Sequence, residues 1–343
     1  MKTDIMLPAM RLIGWCKNID QRCIERFPDI FRPSLMQALV RRGLLRPYTE
    51  NYGWRLTAEG YRWLALHGYP MRPDKHTQRA KRRFDNAAVA VTMYAAGISP
   101  FLDGVPAFCA QGGYLPAFIL RAQEGQHVLN SNQVVGFLQR NGVLLSVHYP
   151  HPDRRIVPQQ EYNCTERMML RAGCTDMGYL FCRQSYASIY RSLVGTAEEN
   201  SKKVSRDYAS LLRECRYAYL LPCDMVGAEQ LRLLCIPDFR AQLAPTLGSA
   251  ADQMAALDMP DCDFWDAHYQ LPACITLDMD LCRVSQAACE AMAAGYNGLV
   301  LAALQAQRPF LEQIYPPPFY NISVIPAASI AGLKEGGSNA PSV

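Results

Sequence analysis

The stretch Arg32-Pro-Ser-Leu-Met-Gln-Ala-Leu-Val-Arg-Arg-Gly-Leu-Leu-Arg-Pro-Tyr-Thr-Glu-Asn-Tyr-Gly-Trp-Arg-Leu-Thr-Ala-Glu-Gly-Tyr-Arg-Trp-Leu64 decides how the amino terminus of the chain is read. Pro33 falls where a first helical turn tolerates it, Leu35, Met36, Leu39 and Val40 make an apolar stripe, and Gly43 stands where a helix end favours a left-handed residue. Ser34, Gln37, Arg41 and Arg42 lie on the opposite face. Beyond Gly43, residues 44–48 and 54–56 read as strands around a turn at Glu50-Asn51 to Gly53, a β-hairpin. Thr57 then caps another helix, with Glu59 in its first turn.

Toward the amino terminus, Met10, Ile13 and Trp15 with Leu12 mark a short helix over residues 9–17. Asp20 is an acidic N-cap for a second segment that places Cys23, Ile24 and Phe27 on one face and stops at Pro28. The segment from Arg32 to Arg42 is then the third helix and the candidate recognition helix. In helix-turn-helix docking the N-terminal part of such a helix meets base edges in the major groove. Arg32, Ser34 and Gln37 are therefore the expected readers, with Arg41 and Arg42 nearer the phosphates. Arg46, Tyr52 and Arg55 on the hairpin extend the candidate surface.

The phrase R-G-L-L … Y-G-W-R-L-T-A-E-G-Y-R-W-L resembles the winged-helix signature of many bacterial DNA-binding proteins, in which Leu-Thr-x-x-Gly follows the wing. Charge points the same way. Residues 1–83 hold 17 Lys and Arg against 7 Asp and Glu, whereas the whole 343-residue chain holds 35 against 31. One basic end is joined to a mildly acidic body, and a basic end gains affinity for a polyanion through counterion release. The run Arg72 to Arg83 adds Lys75, Arg79, Lys81, Arg82 and Arg83 as candidate phosphate contacts, which position a protein on DNA without reading bases.

At this length two or three domains are expected. The organisation reads as an α+β winged helix-turn-helix domain over 1–70, a basic linker and helix over 71–113, an α/β domain over 114–331 and a disordered tail over 332–343. Expected strands in the body are 114–121, 142–148, 177–183, 217–221, 273–277, 298–303 and 322–325. Expected helices are 130–141, 185–194, 205–214, 228–234, 285–294 and 305–314. The alternation argues for α/β layers. A winged helix, a basic link containing His76 and an α/β body resemble in layout the replication-relaxation proteins of plasmids and conjugative elements of Gram-positive bacteria. The resemblance implies a restriction-endonuclease-like body and a role in replication or transfer of a mobile element.

A metal-dependent nuclease of that fold needs converging carboxylates and usually a lysine. Asp153 with Glu161, and Asp278 with Asp280, are the best approximations, yet no lysine lies between Lys81 and Lys202. His148 and His151 have ligand-like spacing but sit among Pro150 and Pro152. No phosphate loop, Gly-x-Gly-x-x-Gly or Gly-x-Ser-x-Gly occurs. The 13 cysteines are odd in number and contain no C-x-x-C pair, which reads as reduced cytosolic thiols rather than disulfides or zinc ligands. No apolar run approaches a membrane span, so a cytoplasmic protein without membrane contact is expected. The leading expectation is a non-catalytic protein that binds double-stranded DNA, needs no cofactor, and uses its body to form a homodimer or recruit a relaxase or replication protein. A ligand-sensing transcription regulator predicts instead a closed apolar pocket, and a nuclease predicts converging carboxylates.

Overall fold

The computed structural model describes residues 3–48, 53–73, 80–129, 133–151, 158–194, 217–248 and 259–333. The chain is mixed α/β, and among the described residues helices pack around three sheets.

The amino-terminal elements run α1 (Thr3–Cys16), β1 (Ile19–Asp20), α2 (Gln21–Arg26), α3 (Pro33–Arg41), β2 (Leu45–Tyr48), β3 (Gly53–Leu56) and α4 (Ala58–Leu66). Each boundary has a local cause. Asp20 accepts the Cys23 N–H at 2.7 Å and so starts α2. At the end of α3 the Leu44 N–H bonds the Leu39 carbonyl and the Gly43 N–H bonds that of Val40. This is a Schellman closure, with Gly43 at φ 68°. The Thr57 hydroxyl accepts the Gly60 N–H at 3.0 Å and donates to the Gly43 carbonyl at 2.6 Å, locking the start of α4 to the end of α3. A Cβ on Gly60 would come within 2.4 Å of the Leu44 carbonyl oxygen, which explains the glycine of the Leu-Thr-x-x-Gly phrase. β1 pairs with β3, giving an antiparallel sheet of order β1-β3-β2.

Helix α5 (Ala80–Ala95) follows. Its buried Ala87, Val89 and Val91 belong to the same core as Leu12, Ile13, Leu35 and Leu39 of the amino-terminal elements. That core continues into Leu138, Leu145, Leu180 and Leu231 of the body. Arg11 is part of the junction, its guanidinium lying 3.9 Å from the ring centre of Tyr69 and 4.1 Å from that of Phe101.

The body continues with α6 (Val105–Gln111), β4 (Gly113–Pro116), α7 (Ala117–Glu124), a 3₁₀ turn (Gln126–Leu129), β5 (Val134–Arg140), β6 (Val143–His148), α8 (Pro158–Ala172), β7 (Asp176–Arg183), α9 (Tyr186–Val194) and β8 (Tyr217–Pro222). These strands form a five-stranded sheet of order β4-β5-β6-β7-β8. It is antiparallel from β4 to β6 and parallel from β6 to β8. Then come α10 (Met225–Leu234), α11 (Phe239–Leu247), β9 (Phe264–Asp266), β10 (Leu271–Ile275), α12 (Leu281–Ala293), β11 (Leu299–Ala303), α13 (Arg308–Ile314), β12 (Tyr320–Val324) and α14 (Ala327–Ala331). The second sheet has the order β12-β11-β10-β9. Its central β10 and β11 are buried along their whole length, as parallel strands covered on both faces require. A second core, with Phe181, Leu220, Leu301 and Phe310, joins the two sheets.

Two expectations are corrected here. Residues 130–141 are expected as a helix, but 134–140 form β5, because their apolar side chains pair with β6 in a hairpin rather than covering a helical face. The expected strand 114–121 ends at Pro116, which starts α7. The expected helix 205–214 and all but the first two residues of the expected tail lie outside the described residues. Among the described residues no helix is long and apolar enough to cross a membrane.

Candidate functional site

The third helix divides cleanly by burial. Leu35, Met36 and Leu39 are buried in the core, whereas Arg32, Ser34, Gln37, Arg41 and Arg42 are exposed. Ser34, Gln37 and Arg41 recur at helical spacing and so share one outward stripe. Arg32 occupies the N-cap without capping the helix through its side chain. Arg42 is tethered, its Nη1 donating to the Met6 sulfur at 3.4 Å, which fixes it beside α1. Among the described residues no ion pair engages Arg32, Arg41 or Arg46.

The hairpin carries the second part of the basic surface. Arg46 is exposed and Arg55 half-buried, and the two are direct cross-strand partners between β2 and β3. Trp54 anchors the hairpin through its Nε1, which donates to Gln21 Oε1 at 2.7 Å. The turn end of the hairpin rests on α5, since a Cβ at Gly53, the cross-strand partner of Tyr48, would approach the Phe84 ring to 2.9 Å. Arg82 and Arg83 sit half-buried in the early part of α5. Tyr52, Lys75 and Arg79 lie outside the described residues, as does the side chain of Lys81. Exposed Arg22 on α2 is a further basic residue of this region that sequence reasoning passed over; its place in a short helix next to an N-cap was the available signal.

The carboxylates are held in other roles. Asp278 is buried and ion-paired with Arg240. Asp280 accepts the N–H groups of Cys282 and Arg283 as the N-cap of α12, and that of Ala218 on β8. Asp153 lies outside the described residues. Glu161 is buried, and its Oε1 accepts the Gln133 N–H at 3.0 Å. Its Oε2 faces His148 Nδ1 at 4.0 Å, and neither atom has a hydrogen-bond partner among the described residues. The other nitrogen of His148, Nε2, is hydrogen-bonded to Ser146 Oγ at 2.6 Å. Burial pushes Glu161 up to about 7 and His148 down to about 3, so both are neutral in the folded chain at mildly acidic pH. His151, whose spacing from His148 suggests a metal ligand, instead pairs with Asp85 at 2.9 Å. Among the described residues no group of three or more His, Cys, Asp or Glu is arranged to hold a metal ion.

The amino-terminal surface thus presents exposed Arg32, Arg41 and Arg46, which no ion pair among the described residues engages, whereas Asp278, Asp280 and His151 of the body are held in ion-pair, capping and hydrogen-bond contacts. Compared with protein-family models, curated proteins and solved structures, the chain matches none.

Proposed function

We propose that the amino-terminal elements are a winged helix-turn-helix that binds double-stranded DNA, with α3 entering the major groove and the β2–β3 hairpin as the wing. The observation that carries this reading is the outward stripe of Ser34, Gln37 and Arg41 on a helix whose other face is locked into the core. Such a stripe holds donors and acceptors suited to base edges, with arginines positioned for phosphates. Exposed Arg46 on the hairpin supports it, adding a cation suited to a phosphate beside the stripe.

The layout resemblance to replication-relaxation proteins supports a role in replication or transfer of a mobile element. In that role the body dimerises or recruits a partner enzyme. The engagement of Asp278 and Asp280 in ion-pair and capping contacts favours this over a nuclease.

Duplexes selected from a randomised pool test the reading by fluorescence anisotropy. Gln37→Ala is expected to lose discrimination at one base position by about 1–3 kcal/mol. Arg41→Ala is expected to weaken all duplexes alike. A wild-type chain that selects no sequence and shows no salt-dependent duplex affinity overturns the proposal.

A further inference from the structure

A cleft of about 1020 Å³ opens against β5, β6 and β8 of the five-stranded sheet, bounded by α10, α11, α12 and residues 260–263, a volume in the range of small-molecule sites. Part of its wall is the edge strand β8, where Tyr217 and Tyr219 share one face of the strand, their ring centres 5.8 Å apart and tilted by 50°. Leu231 of α10 and Phe239 of α11 add apolar sides. Two of the three guanidiniums at the cleft are engaged by acids, Arg240 by Asp278 and Arg283 by Asp263 at 2.6 Å, while the third, Arg140, is exposed at its edge. The lining contains four aspartates against three arginines, so a phosphate entering it meets net negative charge. Asp238 differs from the other acids. It is exposed, holds a left-handed φ of 49° at the start of α11, and its carboxylate caps no N–H of that helix. Such a strained, non-glycine position with an uncommitted carboxylate at a cleft is a feature of binding sites.

We propose that this cleft binds a nucleoside, the base resting against the Tyr217–Tyr219 pair and the ribose hydroxyls donating to Asp238. Flat rings favour the aromatic wall whatever their substituents. Sugar hydroxyls are neutral donors that suit a carboxylate, and the acid excess excludes the nucleotide. Occupancy also has a route to the amino-terminal elements. Helix α10 lines the cleft through Leu231 and also contacts α5, where Arg232 Nη2 donates to the Ala95 carbonyl at 3.2 Å. Helix α5 in turn packs on α1, α2 and β1. A bound nucleoside therefore stiffens α10 and α5, and, resting on the DNA-binding reading above, tunes duplex affinity.

Isothermal titration of the full chain with adenosine and with adenosine monophosphate tests the site. Adenosine is expected to bind, and the monophosphate to bind about ten-fold more weakly or worse. Tyr219→Ala is expected to weaken adenosine about ten-fold, the scale of one lost aromatic–base stack. Asp238→Ala, at an exposed position that leaves the core untouched, is expected to weaken it comparably. Absence of adenosine binding, or binding that neither variant weakens, overturns the site. Hydrogen exchange across residues 80–95, read without DNA, is expected to slow on adenosine addition, and unchanged exchange overturns the coupling. A change of about five-fold or more in duplex affinity is then expected with adenosine present. If no duplex binds at all, the DNA-binding reading fails while the titration and exchange results stand independently.

Discussion

Arg46 and Arg55 face each other across the β2–β3 hairpin, two like charges in direct register. Opposed like charges cost a hairpin a few tenths of a kcal/mol or more. Arg46→Thr is therefore expected to leave the free protein as stable as before, or stabilise it by about 0.2–1 kcal/mol. The same change is expected to weaken duplex binding and reduce its log–log salt slope by about one. Denaturant midpoints and anisotropy at several salt concentrations measure both.

The joint between α3 and α4 depends on one missing side chain and one hydroxyl. Gly60→Ala drives a methyl group into the Leu44 carbonyl and is expected to destabilise by about 1–3 kcal/mol. Thr57→Ala loses the cap at Gly60 and the bond to Gly43, at a cost of about 1 kcal/mol. Thermal unfolding checks both, and equal stability of Gly60→Ala and the wild type contradicts the close approach.

Glu161 makes stability depend on pH in a direction opposite to that of an ordinary carboxylate. Its folded value, about 7, lies above the usual 4.5, so the folded chain holds a proton that the unfolded chain releases. Stability from this group is full below about pH 4.5 and is lost as pH rises to about 7. His148 acts on the other side: depressed to about 3 from 6.5, it contributes stability at neutral pH that is lost as pH falls. Glu161→Gln removes only the first effect. Its stability relative to wild type is therefore expected to grow between about pH 4.5 and 7, as read from urea midpoints. A pH-independent difference contradicts the buried, protonated state.

Arg240 neutralises a carboxylate that has almost no access to water. Arg240→Ala is expected to destabilise by about 3–5 kcal/mol, because it strands Asp278 as a buried charge. Asp278→Asn in the same background is expected to recover a large part of that loss. Non-additivity in this double-mutant cycle is the measurement, and additive effects mean the pair is not coupled.

The amino-terminal elements were legible because each boundary has a cause within a few residues: Asp20 and Thr57 accept N–H groups, Pro33 starts a helix, and Gly43 ends one. Two-residue β1 was not, since it exists only by pairing with β3, some 34 residues further on. Val134 to Arg140 was misread as helix because its apolar run has no decisive period, and the partner strand β6 settles the matter. Helix α8 went unread because its sequence is dominated by polar residues, with Cys164 and Met168 as its buried contacts. The exposed stripe of α3 followed from helical spacing alone, whereas the cleft draws its walls from segments more than a hundred residues apart, a relation no local pattern encodes.

The shared interior that runs from Leu12 through α5 to Leu231 joins the basic head to the body through one packed core. A tethered head can search for a half-site at many spacings, but a fused one carries its helix at a fixed offset from the rest of the chain. If two copies meet through their bodies, their third helices address one face of the duplex only at whole turns, about 10 base pairs or a multiple apart. Phase along the double helix, more than distance, then decides which paired sites are read.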